Sequence, residues 1–277
     1  MNSIAHVDKF KALAKMGYIA RGVVYMVIGG LALLAAFGKG GETTDSKGAI
    51  VEIMHQPFGT FLLLVLVIGL IGFVVWRTIQ AVNDTDGHGD SAKGLAIRGA
   101  LLVSAITHGL LAIWATKVLL GDESRSRQGE KFLSTDMGQW IIGVVGLAFV
   151  CAGLAHIYKA WTASFERYMQ IPHDKNIWAN PLCRFGLASR GVVWCILAWF
   201  CISSAMSANS GEIKGMVDAL ELLRESSYGI WLFGIVAAGL FAFGVYSVLE
   251  AIYRRIDVDT DFKQGLGNLR ESISRSH

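Results

Sequence analysis

Six stretches of about 20 residues, near positions 18–37, 58–80, 97–119, 138–160, 185–206 and 228–252, are apolar on nearly every side. A run of that length crosses a hydrocarbon core roughly 30 Å thick when helical. A spanning segment has no water to satisfy its backbone, so each run is predicted to be a helix whose hydrogen bonds close within the segment. Composition points the same way, because 53% of the residues are hydrophobic and only 17% charged, against about a quarter charged in a typical soluble domain. The fold class expected is all-α, an integral membrane bundle of six helices.

The runs come in pairs. The first of each pair opens on one pattern: Gly17-x-x-x-Arg21-Gly22, Gly94-x-x-x-Arg98-Gly99 and Gly186-x-x-x-Arg190-Gly191. The second opens on Gly59, Gly138 or Gly229, separated from the arginine by 38, 40 and 39 residues. A further 21 residues on stand Gln80-Ala81, Lys159-Ala160 and Glu250-Ala251. A fixed period of this kind signals a repeat architecture. Residues 10–83, 90–163 and 182–254 are therefore three copies within a single membrane domain, 1–277, with a tail at 255–277. An even number of crossings gives every copy the same orientation, so the expected symmetry is pseudo-threefold about the membrane normal. Between the two runs of the outer copies, Ala49 to Met54 and Met216 to Leu223 alternate apolar and acidic residues at helical spacing. Short interfacial helices that cap the bundle are predicted there.

The Arg-Gly openings at 21, 98 and 190, with the glycines at 59, 138 and 229, resemble the bacterial membrane proteins grouped as domain of unknown function 1206. The likeness covers about residues 10 to 255. It implies three tandem two-helix copies and no particular activity. The second copy departs most: it reads Arg98-Gly99-Ala100-Leu101-Leu102 where the others read Arg-Gly-Val-Val followed by Tyr25 or Trp194.

Counted over alternate loops, 17 of the 25 Lys and Arg residues fall on the side of the N-terminus. The positive-inside rule makes that side cytoplasmic, with both termini inside a bacterial plasma membrane. The first run carries the repeat pattern and is longer than a signal-peptide core, so it is expected to be retained. Cys151, Cys183, Cys195 and Cys201 show no C-x-x-C spacing and are expected to pack as small apolar residues.

Arg21, Arg98 and Arg190 are the leading site candidates. Each stands near a helix end between two glycines, where a guanidinium can reach headgroups or a soluble anion. A ring of three would bind phosphate; the alternatives are interfacial anchoring or an ion pair with Glu250. Arg77, His156 and Ser247 occupy one equivalent position in the second helices, which suggests a face turned inward or toward the headgroups. His108 and His156 lie within runs, where ionisable groups mark function by default. Counted from the helix ends they lie at different depths, which argues against a shared haem and for interhelical hydrogen bonds. Glycines such as Gly69, Gly146, Gly239 and Gly244 suit close helix approach, and Trp140 and Trp231 suit an interfacial belt.

No P-loop, dinucleotide fingerprint, H-E-x-x-H or nucleophile elbow is present. The acidic clusters at Asp84–Asp90 and Asp257–Asp261 read as solvated turns, so no metal site is expected. The sequence thus points to a non-enzymatic structural or accessory membrane protein. Membrane lipids and a membrane-protein partner are the partners foreseen, no nucleic acid is expected to bind, and a phospholipid is the one group foreseen in place of a cofactor. A small-solute transporter or channel using a polar vestibule is the alternative, and a haem protein a distant third.

Overall fold

A computed structural model describes residues 2–38, 43–121, 136–206, 216–225 and 229–255. The described residues form eight α-helices: α1 Asn2–Ala36, α2 Ser46–His55, α3 Gly59–Asn83, α4 Ala92–Leu119, α5 Asp136–Thr162, α6 His173–Met206, α7 Met216–Glu225 and α8 Gly229–Tyr253. Six of them are long and apolar enough to cross a membrane, while α2 and α7 are ten residues each. The long helices outrun the apolar stretches, since α1 begins at Asn2 and α6 at His173. The interfacial helices expected in the first and third copies are present. The matching connection of the second copy lies outside the described residues.

Each short helix turns into a span at a tight corner. A Cβ on Gly59 would land on the carbonyl of Met54, and one on Gly229 on the carbonyl of Arg224, five residues back in both copies. Only glycine fits, which explains why these two positions mark the repeat. Beneath the corners, Ala49, Ile50 and Ile53 of α2 and Ala219, Leu220 and Leu223 of α7 are buried against the spans. Trp140 and Trp231 are exposed beside this end of the bundle, which we call the hairpin face. The opposite end, with the α3–α4 and α5–α6 connections and the last turn of α8, is the terminal face.

The spans pack in the order α4, α3, α1, α8, α6, α5. This is the neighbour order of a threefold ring, in which the first helix of each copy touches its own second helix and the second helix of the preceding copy. Among the described residues one contact is absent: α4 and α5, the two halves of the second copy, do not pack along each other. The row nonetheless curves around one centre. Arg190 on α6 lies 4.9 Å from the Tyr25 ring of α1, and His156 on α5 lies 6.3 Å from the Phe243 ring of α8, skipping a helix in each case. At the terminal face His88 and Tyr168 bring the two loops within 6.4 Å. The result is a ring with a seam open between α4 and α5. Those two helices are accordingly the least enclosed, with 11% and 17% of their apolar windows buried against 44–61% in the other four.

The interfaces between copies show why the ring is unequal. Where α1 meets α8, a Cβ on Gly22 would stand 2.8 Å from the Gly244 carbonyl; where α6 meets α5, one on Gly191 would stand 2.9 Å from the Gly153 carbonyl. Backbones touch at both crossings because both partners are glycine. The residue equivalent to Gly153 and Gly244 in the first copy is Val74, and it meets Gly109 instead of Gly99. Denied the glycine pair, α4 lies displaced along α3 toward the terminal face by two to three turns, roughly 10–15 Å.

Candidate functional site

The arginines of the three copies have one sequence context and three different surroundings. Arg21 is 5% exposed and fully engaged. Its Nε donates to Ser247 Oγ at 3.1 Å, and its Nη2 pairs with the Glu250 carboxylate. Glu250 also accepts from Arg254 at 2.8 Å, and Arg254 pairs with Asp86 at 3.0 Å. Asp86 accepts from Gln80, which accepts from Arg77 at 3.1 Å. One connected chain of charges thus ties α1, α3, α8 and the α3–α4 loop together.

Arg98 is elsewhere. Its Nε donates to the Ala81 carbonyl at 2.8 Å and its Nη2 to the Val82 carbonyl at 3.0 Å, while Nη1 meets exposed Asp90 at 2.9 Å. It caps the end of α3, as Arg184 caps α5 through the carbonyls of Ala160 and Trp161. Cations at helix C-termini are favourable there. The ring of Arg21, Arg98 and Arg190 inferred from the sequence is not assembled; Arg77 takes the third place in the centre.

Arg190 is 8% exposed and, among the described residues, has neither a hydrogen bond nor an ion pair; its buried Nε is without a partner. Aromatic faces surround it, with Phe243 at 4.3 Å, Tyr25 at 4.9 Å and Trp194 at 5.6 Å. Such contacts ease burial of a guanidinium but do not neutralise it. The same shelf continues across the centre: Arg21 lies 5.3 Å from Phe243 and 5.1 Å from Phe73, and Arg77 lies 4.8 Å from Phe73. Three cations therefore alternate with two phenylalanine rings, neighbouring cations no more than about 10 Å apart.

Repeat equivalence accounts for the differences. The two positions that offer Ser247 and Glu250 to Arg21 are His156 and Lys159 opposite Arg190, and Arg77 and Gln80 opposite Arg98. Arg21 thus meets an acid, Arg190 meets none, and Arg98 would meet a cation. Phe73 and Phe243 have Ala152 as their counterpart, so Arg98 also lacks an aromatic shelf in its own copy. Displacement of α4 removes it from an unfavourable site. The missed signal was available in the sequence, in the pairing of each arginine with the preceding copy's second helix.

The histidines hold related positions. Each has Nδ1 2.8 Å from a carbonyl four residues back, Ser104 for His108 and Ala152 for His156. With Nδ1–H donating, Nε2 is left as an acceptor. His108 lies 4.6 Å from the Phe73 ring and His156 6.3 Å from that of Phe243. Those rings are repeat equivalents, so the slide of α4 brings His108 to a level that counting from its helix start did not anticipate. Both bonds lie within a helix, unlike the interhelical bonds expected. Ser247 serves Arg21 and donates to the Phe243 carbonyl. No group of three metal-ligating side chains occurs among the described residues.

A curved row of six membrane-length helices, built from three two-helix copies around a cationic centre, defines a multi-pass helical membrane protein with internal repeats. The profile of the family Domain of Unknown Function (DUF1206) matches residues 16–84, 99–163 and 185–254, and the chain belongs to that family. It is 30% identical over 256 residues to "Uncharacterized protein YxxB" of Bacillus subtilis (strain 168), spanning 89% of this chain and 92% of the relative. No solved structure matches significantly.

Proposed function

We propose that the protein is a non-enzymatic accessory component of a bacterial plasma membrane that binds a phosphate-class anion at the arginine centre, with the terminal face cytoplasmic. The observation that carries this reading is the uncompensated guanidinium of Arg190. A buried charge without a counter-ion is expensive, and of the residues that stand where Ser247 and Glu250 stand for Arg21, His156 spends its N–H on the Ala152 carbonyl and Lys159 is a cation, so neither supplies an acid. An oxyanion would complete the set as Glu250 completes Arg21. The basic excess of the terminal-face loops supports the orientation. Phe73, Phe243 and Tyr18, all buried at the centre, favour a packed binding site over a conducting pore.

Phosphate or sulfate added to the detergent-solubilised protein is expected to raise its unfolding temperature, and Arg190→Gln to abolish that rise. An equal rise in both proteins would defeat the assignment.

A further inference from the structure

We infer that the open seam between α4 and α5 is a lateral portal through which an anionic phospholipid reaches the arginine centre, its phosphate on Arg190 and its acyl chains between the two helices. This rests on the anion reading above and specifies the source of the anion.

Position is the first argument. In the first and third copies the seam between a copy's two helices is shut: Gly69 lies against Met16 and Ala20, and Gly239 against Ser189. A Cβ on Gly17 would stand 2.6 Å from the Phe73 side chain, and one on Gly186 2.7 Å from the Phe243 backbone. The counterparts on α5 are Ala148, which is exposed, and Ala152, which is half-buried. Among the described residues, Ala152 stands where the other copies place Phe73 and Phe243, and α4 does not pack along α5 to fill the space.

Charge is the second. Gln80 and Glu250 are 0% and 3% exposed, whereas their counterpart Lys159 is exposed. The opening therefore has a cation on its α5 side near the terminal face, and Arg190 lies behind it against α5, since Gly191 packs on Gly153 and Ile157. At the terminal face the His88–Tyr168 contact crosses between the loops. The approach that remains runs from the side, where exposed Leu102, Ile106, Val144 and Leu147 present hydrocarbon-compatible surface. A cationic head site joined to an apolar flank is complementary to a phospholipid. A free inorganic anion would make no use of the flank.

The test places the full chain in nanodiscs of phosphatidylcholine with a minority of phosphatidylglycerol, then releases it for native mass spectrometry. Wild type is expected to retain one phosphatidylglycerol, and Arg190→Gln to lose at least about tenfold of that occupancy. Ala148→Phe, which fills the seam away from the arginines, is expected to lose the lipid while keeping the thermal response to inorganic phosphate. In wild type, a phosphatidylglycerol with a photoreactive acyl chain should mark α4 and α5 in preference to the outer face of α8; this readout does not depend on any variant folding. Retention unaffected by either substitution, or adducts spread evenly over the spans, overturns the portal. A phosphate response without lipid retention overturns the portal and leaves the anion site standing. Absence of both overturns the two together.

Discussion

Arg21 and Arg190 occupy one repeat position and are buried alike, yet they should respond oppositely to neutralisation. Arg21 shares Glu250 with Arg254, so Glu250→Gln leaves Arg21 without an acid and Arg254 with Asp86 alone. Loss of one partner from such a pair costs about 3–5 kcal/mol, which chemical unfolding in detergent would read as a large fall in midpoint. Arg190→Gln in the absence of anion removes a charge that nothing compensates, so stability should hold or rise. A fall as large as that of Glu250→Gln would show that Arg190 has a counter-ion. The sequence made both arginines visible and aligned the residues opposite them. What it concealed was which helix each guanidinium faces, because that depends on packing between copies and not within them. Arg98 illustrates the limit: its motif is intact, but Arg77 and Gln80 stand where Ser247 and Glu250 stand for Arg21, and the side chain caps a helix instead.

Helix pairing is set by single positions that the repeat register exposes. Gly22 with Gly244 and Gly153 with Gly191 permit backbone contact, so Gly244→Leu should separate α1 from α8 and destabilise the bundle by about 1–3 kcal/mol or more. Val74→Gly is the reverse case, offering α4 a glycine partner, and a shift of Gly99 toward residue 74 should be measurable by cysteine cross-linking. The α3–α4 loop adds a pH dependence. Burial acts to raise the Asp84 carboxyl, but the amides of Gly89 and His88, with His88 and Arg98 nearby, outweigh it and hold the group below its ordinary range. A lowered carboxylate contributes stability that is present above the unfolded value, about 4, and lost as pH falls through the folded one. Acid should therefore loosen this loop, and Asp84→Asn should remove that part of the pH response in unfolding titrations. Six spans, two interfacial helices and the glycine corners were legible because hydropathy and period are local properties. The slide of α4 was not, since one valine in place of glycine reads as an ordinary apolar residue until its partner helix is known.

The whole molecule is a threefold plan carried out unevenly, with the second copy spread apart and its helices each held by a single long neighbour. Solvent and lipid should reach it first. Cys151 on α5 is exposed whereas Cys183 and Cys201 are buried, so a lipid-soluble maleimide is expected to label Cys151 well before the other two. Equal rates would mean that the bundle closes or breathes as one body. Pseudo-symmetry could be anticipated from the sequence, and so could the second copy as the place where it weakens, but the open junction itself could not, because an absent contact leaves no pattern in one chain. That break also inverts the usual relation between chain ends and weak points. The first and last helices, α1 and α8, make a close crossing, while the loosest junction falls in mid-chain between α4 and α5. A circularly permuted protein, with its original ends joined and new ends opened between residues 121 and 136, should therefore insert and fold close to wild type, whereas opening the chain between α7 and α8 should not.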